Sequence, residues 1–334
     1  MNKDSQFVRF ESWLKASATV EKGSRREHME DRVMMSTFQY HEKSYYIFLL
    51  LDGHGGSEVV DYVKEHFTDI LGKYVVRSRG HKIRDVITQT FVEVDHRVRH
   101  MRSGTTASLL LIIDSPMQIW LANVGDSTVY GIREPSHSAN QKNKEPNVKI
   151  RKISTDHNVK VRSERKRVDE ADDYTIEDGY VCTEDGHMLA VTRALGDADF
   201  GQLITPEPSI KRLKVPYSIF VLASDGIWDV IDGKELWTKL YPPKERKAWR
   251  HSAYRINKWR NEAYDQHDNT SLILVYVDYE KHDRPRTKKG STRKAGGVAP
   301  ESEPSAIAIT SGDLMDTEPS VPSELDETPA PTSK

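Results

Sequence analysis

Tyr45-Tyr46-Ile47-Phe48-Leu49-Leu50-Leu51, followed at once by Asp52-Gly53-His54-Gly55-Gly56, is the stretch of sequence that most constrains the fold. The continuous run of aromatic and aliphatic residues predicts a strand buried on both faces, because it is too short for an ordinary helix. A carboxylate at the end of such a strand is costly unless a cation or hydrogen bonds compensate it. The glycines that follow let the backbone turn sharply and approach a ligand closely. Taken alone, the stretch favours a tight turn in which Asp52 caps the next helix.

The sequence around this stretch alternates between strand-like and helix-like patterns. A polar turn at 41–44 joins the predicted strands Val33–Gln39 and Tyr45–Leu51 into a hairpin. Apolar residues at three- and four-residue spacing predict amphipathic helices over Ser57–Val76 and Lys82–Met101. Further predicted strands cover 16–22, 109–113, 118–123, 129–132, 149–153, 209–215, 219–223 and 271–277. Further predicted helices cover 160–170, 233–240 and 244–264, whereas 133–147 is predicted as a loop and 171–185 as an irregular acidic segment.

The composition excludes several classes of protein. Charged residues make up 30% of the 334 residues and the formal net charge is -2, so no overall field favours nucleic acid or a membrane surface. The single cysteine, Cys182, excludes an internal disulfide framework and suits a reducing compartment. The first residues lack a hydrophobic signal region, and no apolar run is long enough to span a bilayer. We therefore expect a soluble monomer in the cytoplasm or nucleus, with no nucleic-acid or membrane partner.

The composition changes beyond Tyr279. A basic run from Lys281 to Lys294 precedes a segment rich in Pro, Ser, Thr and Glu, with few large apolar residues to bury. This change predicts a disordered tail over 280–334, after a folded domain that spans 6–279. The basic run is typical of a solvated charged linker, with nuclear import or weak binding to anionic surfaces as the alternative.

Acidic residues recur at the ends of predicted strands or in the turns that lead into them. They are Glu30, Asp31, Asp52, Asp126, Asp225 and Asp268. If those strand ends converge, the carboxylates would repel one another strongly without cations between them. Oxygen ligands select hard metals. Because the sequence has neither EF-hand spacing nor Cys–His pairs, we expect Mg²⁺ or Mn²⁺ rather than Ca²⁺ or Zn²⁺.

Acids around two hard cations form a hydrolytic site. Two ions about 4 Å apart lower the pKa of a bridging water and clamp the oxygens of an in-line displacement, and they suit phosphoryl groups because they offset negative charge. The non-bridging phosphate oxygens need a donor, for which Arg25 and Arg26 are both candidates. His54, in the glycine turn, can titrate near neutral pH and protonate a leaving alkoxide.

An ordered set of motifs carries a family resemblance. The motifs are Arg26…Met29-Glu30-Asp31, Asp52-Gly53-His54-Gly55-Gly56, Ser103-Gly104-Thr105-Thr106-Ala107, Asn123-Val124-Gly125-Asp126-Ser127, Thr192-Arg193-Ala194-Leu195-Gly196-Asp197, Ser224-Asp225-Gly226-Ile227-Trp228-Asp229 and Asp268-Asn269. Over about 16–277, the set resembles the metal-dependent Ser/Thr protein phosphatases, the PPM or type 2C family. The resemblance implies an α+β fold, with two antiparallel β-sheets in a central sandwich flanked by helix pairs and metals at one end. It also implies hydrolysis of phosphoserine and phosphothreonine in signalling phosphoproteins, by attack of a water or hydroxide that bridges two divalent ions.

The resemblance implies a role for each matched residue. The implied ligands of Mg²⁺ or Mn²⁺ are Asp52 bridging both ions, Asp225 and Asp268 at the first, Glu30 and the Gly53 carbonyl at the second, and Asp126 with Asp225 at a third, weaker ion. The other implied roles are phosphate binding by Arg26, protonation of the leaving group by His54, action through metal-bound waters by Asp31 and Asp229, and orientation by Asn269. Each residue also has a structural alternative: the acids can cap turns, His54 can hydrogen-bond its own turn, and Arg25 can replace Arg26.

Some features depart from the family pattern. Thr128 stands where the family usually has Arg, so an ion pair is expected to be missing. The acidic stretch Glu170–Asp178 lies where the family has a mobile flap beside the active site, and we hypothesise that it disfavours acidic phosphopeptides. Asp197 is interpreted as an acid that fixes its loop rather than as a metal ligand. The competing class is a catalytically silent relative that serves as a binding module, but such a relative would have lost metal acids and none is lost here.

Overall fold

The computed structural model describes residues 5–133, 148–240, 251–264 and 267–283. The strands, numbered in chain order, are β1 Ser5–Arg9, β2 Leu14–Glu21, β3 Arg32–Tyr40, β4 Lys43–Leu51, β5 Gly53–His54, β6 Gly104–Thr105, β7 Ala107–Ile113, β8 Gln118–Val124, β9 Thr128–Arg133, β10 Lys149–Lys152, β11 Tyr174–Glu177, β12 Tyr180–Thr183, β13 Met188–Leu189, β14 Leu195–Gly196, β15 Ser209–Leu213, β16 Ile219–Ala223 and β17 Thr270–Val277. The helices are α1 Glu58–Arg77, α2 Ile83–Val98, α3 Arg162–Asp169, α4 Asp225–Trp228, α5 Gly233–Leu240, α6 Ser252–Ala263 and α7 Tyr279–His282, with a 3-10 turn at Ala198–Phe200.

Two antiparallel sheets form the centre of the structure. One has six strands in the order β1-β2-β17-β16-β9-β10, and the other has five in the order β15-β8-β7-β4-β3. β3 and β4 form the predicted hairpin, with Val33 opposite Leu50 and Phe38 opposite Tyr45. β17 lies between β2 and β16, so the last strand of the larger sheet pairs with one of the first.

The register of β4 explains why its sequence is apolar without alternation. Tyr46, Phe48 and Leu50 belong to the core between the two sheets, together with residues of the six-stranded sheet. Ile47 and Leu49 point the other way, into the core beneath α1 and α2. Because successive side chains of a strand point to opposite faces, a strand covered on both sides needs apolar residues at every position.

Helices cover the outer face of each sheet. α1 and α2 pack on the five-stranded sheet through residues at helical spacing, such as Val63, Phe67 and Phe91. α5 and α6 pack on the six-stranded sheet, where Leu236 and Ile256 join the apolar residues of β16 and β17. The layers therefore run helix, sheet, sheet, helix, which confirms the predicted α+β sandwich. Among the described helices, none combines the length and apolar character needed to cross a membrane.

A small subdomain follows β10, and here the prediction of an irregular segment over 171–185 was wrong. β11, β12 and β13 form a three-stranded antiparallel sheet, in which Ile176 pairs with Val181. This sheet and α3 share a separate apolar core, which contains Val168 and Val181. Neither strand has a clear alternation in its sequence, because each has only four residues. β11 alternates only between half-buried and exposed positions, and the two buried residues of β12 are adjacent.

A buried ion-pair network attaches α3 to the rest of the domain. The side chain of Glu164 is 4% exposed and accepts hydrogen bonds from Arg193, with Nη2–Oε1 at 2.6 Å, and from the Thr192 hydroxyl at 2.9 Å. Arg167 donates to the same carboxylate at 3.2 Å and to the Thr192 carbonyl at 2.6 Å. These hydrogen bonds hold the pKa of Glu164 near 2, because they outweigh the effect of burial. The subdomain is thus anchored by charge as well as by apolar contacts.

Several predictions fall wholly or partly outside the described residues. The predicted loop 133–147 lies outside them from residue 134, and the predicted helix 244–264 is described only from His251. The predicted tail over 280–334 and the basic run that opens it lie outside them from residue 284. The described chain continues helically over α7, past the predicted domain boundary at Tyr279. The domain limits stay a prediction.

Candidate active site

The sheet pairings bring the predicted acids to one end of the sandwich. In the five-stranded sheet, Arg32 at the start of β3 pairs with Leu51 at the end of β4, so Asp31 and Asp52 lie at the same edge. β8 runs parallel to β4, because each is antiparallel to β7, and Asp126 follows its end. In the six-stranded sheet, Ala223 at the end of β16 pairs with Leu272 near the start of β17, which places Asp225 and Asp268 together.

Electrostatic interactions show that acids from both sheets meet. Burial raises the pKa of Asp52 well above its usual value, and the negative charges of Asp31 and Asp225 raise it further. Burial likewise raises the pKa of Asp225 to about 7, with added repulsion from Asp126 and Asp268. The pKa of Asp31 is raised to about 6, again chiefly by burial. The cluster therefore carries more negative charge than its surroundings compensate.

Arg26 forms a direct ion pair with one of these acids, Asp268. Its Nε and Nη2 donate to the two oxygens of Asp268 at 2.7 and 2.8 Å, and the pair is partly exposed. This hydrogen bond is the main cause that raises the pKa of Arg26, and the charges of Asp225 and Asp52 add to it. A parallel two-point contact of this kind matches carboxylate and phosphate oxygens alike. Of the two predicted candidates, both of which are exposed, Arg26 is the one that forms an ion pair with an acid of this cluster among the described residues.

The Glu30 and Gly53 segments lie in contact beside the acids. Glu30 Oε1 accepts a hydrogen bond from the Gly56 amide at 2.7 Å. A Cβ atom at position 53 would stand 2.6 Å from the Glu30 carbonyl oxygen, so the two backbone segments can approach this closely only with glycine there. Asn269 joins the neighbouring loops, since its side chain accepts from the Gly23 amide and donates to the His28 carbonyl, each at 3.1 Å.

His54 lies on a three-stranded patch formed by β5, β6 and β14. Its Nε2 is 2.7 Å from Oδ1 of Asp197, which follows β14. Burial lowers the pKa of His54, but the charge and hydrogen bond of Asp197 outweigh that effect, and Glu30 adds to them. The net result is a pKa above the usual value. The sequence did not reveal this partnership, because 143 residues separate the two side chains and neither strand has more than two residues.

Thr128 replaces the arginine of the family pattern, and its surroundings compensate. The Thr128 hydroxyl donates to Oδ1 of Asp156 at 3.2 Å and to the Asp126 carbonyl at 3.1 Å. Lys152 forms an ion pair with Oδ2 of Asp156. A cation therefore still pairs with an acid beside Asp126, but it comes from β10. Burial raises the pKa of Asp126, and the nearby charge of Asp156 raises it further.

The acid cluster fits divalent cations by its charge and by one orphaned atom. Oδ2 of Asp31 is buried without a hydrogen-bond partner among the described side chains. Within the described ranges, however, no three Asp, Glu, His or Cys side chains surround a single point closely enough to hold an ion by themselves. Mg²⁺ commonly takes only one or two carboxylates and keeps several waters, so the arrangement remains compatible with hard metals.

The raised pKa values predict a pH-dependent stability for the metal-free protein. Carboxyl groups whose pKa is higher in the folded state bind protons more tightly there, so stability falls as pH rises from about 4 through the folded pKa of about 7 for Asp225. We expect the contribution of the cluster to the free energy of unfolding, measured with urea in EDTA, to be smaller at pH 8 than at pH 5.

The Asp225→Asn variant isolates this contribution. His157 works in the opposite direction over part of the same range, because burial lowers its pKa to about 4. The difference between wild type and Asp225→Asn removes such shared terms. It should grow in favour of the variant as pH rises; a difference independent of pH would contradict the prediction.

Comparisons with known proteins agree with this fold and motif set. The family model described as Protein phosphatase 2C matches residues 16–239. Probable protein phosphatase 2C 55 of Oryza sativa subsp. japonica is 29% identical over 261 residues, which cover 75% of this chain and 63% of that protein. Probable protein phosphatase 2C 76 of Arabidopsis thaliana is 25% identical over 285 residues, which cover 83% of this chain and 62% of that protein. The chain thus spans less than two thirds of the length of these curated relatives.

Solved structures share the fold. A serine-threonine phosphatase 2C from Toxoplasma gondii superposes with a TM-score of 0.64 at 14% identity, covering 82% of this chain and 99% of that one. A C. elegans sex determining protein superposes with a TM-score of 0.66 at 23% identity, covering 80% of this chain and 66% of that one.

Proposed function

The chain belongs to the protein phosphatase 2C family, and from this premise we propose that it is a metal-dependent phosphatase of phosphoserine and phosphothreonine in proteins. The observation that carries the proposal is the meeting of Asp52, Asp126, Asp225 and Asp268 at one end of the sandwich, where their charges act on one another. A buried cluster of like charges is costly to maintain, so it indicates a site that binds cations.

The acids would be shared among two main ions and a third, weaker one. Asp52 would serve both main ions, with Asp225 and Asp268 at the first and Glu30 and the Gly53 carbonyl at the second. Asp126 would serve the third together with Asp225. When bound, Mg²⁺ or Mn²⁺ would lower the pKa of the attacking water and offset the charge of the phosphate. These assignments are supported by the position of the acids at the same end of the sandwich and by the excess negative charge there.

Other side chains would handle the phosphate and the protons. The Arg26 guanidinium, once released by Asp268, presents the same two donors to two phosphate oxygens. Asp31 has a buried oxygen without a partner and a pKa near 6, so it can accept a proton from the attacking water. His54 would donate a proton to the leaving serine or threonine alkoxide, and its raised pKa keeps more of the ring protonated near neutral pH.

We extend the proposal to substrates and surroundings. Phosphoproteins would be the substrates, and the chain would act as a monomer in the cytoplasm or nucleus, in signalling. We also propose that the acidic stretch Glu170–Asp178 disfavours acidic phosphopeptides. In support, the hydroxyl of Tyr174 in this stretch donates to the Phe200 carbonyl at 2.8 Å, which connects the stretch to the loop that carries Asp197. Lower turnover of acidic than of basic phosphopeptides would support it, and equal turnover would count against it.

Turnover of two substrates tests the proposal. The full chain is assayed on p-nitrophenyl phosphate and on a phosphothreonine peptide with Mn²⁺, with Mg²⁺ and with EDTA. We expect hydrolysis of both substrates with either metal and none in EDTA. Absence of hydrolysis with every metal, in a protein that melts cooperatively, would favour a binding module that has the fold without the activity.

A further inference from the structure

We propose that Asp197 is a positioning residue that fixes the orientation and the protonated nitrogen of His54, an inference that rests on the proposed phosphatase function. The geometry points to this role, because Oδ1 of Asp197 is 2.7 Å from Nε2 of His54. The His54 side chain is 29% exposed, whereas that of Asp197 is 3% exposed. The carboxylate therefore holds the inner side of a ring whose other side remains accessible.

Among the described residues, the Asp197 side chain hydrogen-bonds to His54 and to no other group. Its other oxygen, Oδ2, is buried and has no hydrogen-bond partner among the described residues. The loop is held instead by backbone groups: the Asp197 amide donates to the Ser103 carbonyl at 3.1 Å, and its carbonyl accepts from the Phe200 amide at 3.0 Å. The sequence-based interpretation of Asp197 as an acid that fixes its loop therefore does not account for its carboxylate.

Close packing on Gly104 sets the position of this carboxylate. A Cβ atom at position 104 would stand 2.3 Å from Oδ2 of Asp197 and 2.4 Å from its carboxyl carbon. Asp197 itself has a φ of 57°, in the left-handed region that few non-glycine residues adopt. Such strain persists only where the surroundings over-determine it, and it is concentrated at functional sites. The uncommon backbone conformation thus occurs at the residue whose carboxylate contacts the His54 ring.

The hydrogen bond determines which proton His54 can give away. A carboxylate can only accept, so Nε2 must carry a proton and donate it to Asp197. When the ring is protonated on both nitrogens, the Nδ1 proton is the one free to move. Nδ1 has no hydrogen bond to any described residue. On transfer, the Nδ1–H bond breaks and the leaving alkoxide takes the proton. The neutral ring keeps the proton on Nε2, which still donates a hydrogen bond to Asp197. The carboxylate itself gains no proton.

The choice of substrate distinguishes positioning of an acid from general damage to the site. Nitrophenolate leaves without protonation, whereas a threonine alkoxide needs a proton. We expect Asp197→Asn to lower kcat for the phosphothreonine peptide about 100-fold and kcat for p-nitrophenyl phosphate by about threefold or less, with little change in KM. His54→Gln should show the same selectivity. The double variant should be no slower than His54→Gln alone, because the two residues act as a unit.

Asp199→Asn is the matched control. Asp199 lies two residues further along the same loop, carries the same charge, and is 3.5 Å from Arg102 rather than near His54. Its substitution should leave the ratio of the two kcat values unchanged. If Asp197→Asn lowers both substrates equally, or if its effect adds fully to that of His54→Gln, the positioning role is wrong.

A spectroscopic measurement tests the bond without relying on turnover. In the metal-free wild type, ¹⁵N–¹H correlation of the imidazole groups should show a downfield proton on Nε2 of His54, assigned among the 13 histidines by its loss in His54→Gln. The signal should disappear or move upfield in Asp197→Ala and in Gly104→Ala, whose added methyl displaces the carboxylate. A His54 protonated only on Nδ1 in the wild type would overturn the proposal. The spectrum can be read even if the protein hydrolyses neither substrate. A failure of the proposed phosphatase function can therefore be told apart from a failure of the positioning role of Asp197.

Discussion

Asp52→Asn is expected to lower metal-dependent turnover by about 1,000-fold while it stabilises the metal-free protein. Both effects have one cause. Asp52 is buried among Asp31, Asp225, Asp126 and Asp268, whose charges raise its pKa. Replacing it with a neutral isostere removes repulsion from the empty cluster, and it also removes the carboxylate assigned to both ions. Loss of an ordinary structural acid would reduce stability instead.

The measurement pairs kinetics with unfolding. Turnover of p-nitrophenyl phosphate with Mn²⁺ gives the first effect, and urea unfolding at pH 8, with EDTA or with Mn²⁺, gives the second. Ligands that bind only the folded state raise stability, so Mn²⁺ should stabilise the wild type and not the variant. Asp69→Asn is the control, because Asp69 is exposed on α1, away from the cluster. A variant that keeps its turnover, or that unfolds more easily in EDTA, would disprove this assignment.

Glu164→Gln is expected to destabilise the domain by about 3 kcal/mol. The Glu164 side chain is 4% exposed, and the substitution leaves Arg193 and Arg167 beside a neutral amide. Removing one partner of a buried ion pair is strongly destabilising, because it leaves an uncompensated charge. Urea unfolding at pH 7 measures the loss. Glu170→Gln, which removes an exposed partner of Lys166 at 3.4 Å, should change stability by less than about 1 kcal/mol.

The pH dependence gives this prediction a second test. Because the pKa of Glu164 is about 2 in the folded protein and lies below its unfolded value, its contribution is complete above about pH 4.5 and is lost as pH falls toward 2. The difference in stability between wild type and Glu164→Gln should therefore shrink as the solution is acidified. A difference that stays constant from pH 7 to 3 would show that packing, and not charge, holds α3 in place.

Long periodic segments made most of the fold predictable from sequence. The apolar run in β4 and the helical spacing in α1 each specify their own structure, since burial on two faces or on one leaves a distinct pattern. The recurrence of acids at strand ends pointed to a site, because sheet pairing aligns those ends. The motif order then supplied the family, which no single motif specifies.

What the sequence did not show depends on contacts between distant short segments. β11 and β12 have only four residues each, and the two adjacent buried residues of β12, Val181 and Cys182, break the alternation that would mark a strand. The bond between His54 and Asp197 requires β5, β6 and β14 to align, and each of these strands has two residues. The pairing of Arg26 with Asp268 is likewise a choice among several nearby acids, which spacing along the chain does not encode.

The central place of β17 has a consequence for synthesis on the ribosome. β17 pairs with β2 on one side, with Thr270 opposite Glu21, and with β16 on the other, with Leu272 opposite Ala223. During synthesis, β2 therefore cannot pair with β17 until about 250 further residues have been made. Until then β2 and β16 present unpaired edges and uncovered apolar surface, which favours aggregation. Nascent chains arrested before this strand should therefore be captured by chaperones and digested readily by protease. Chains released after it should become resistant in one cooperative step.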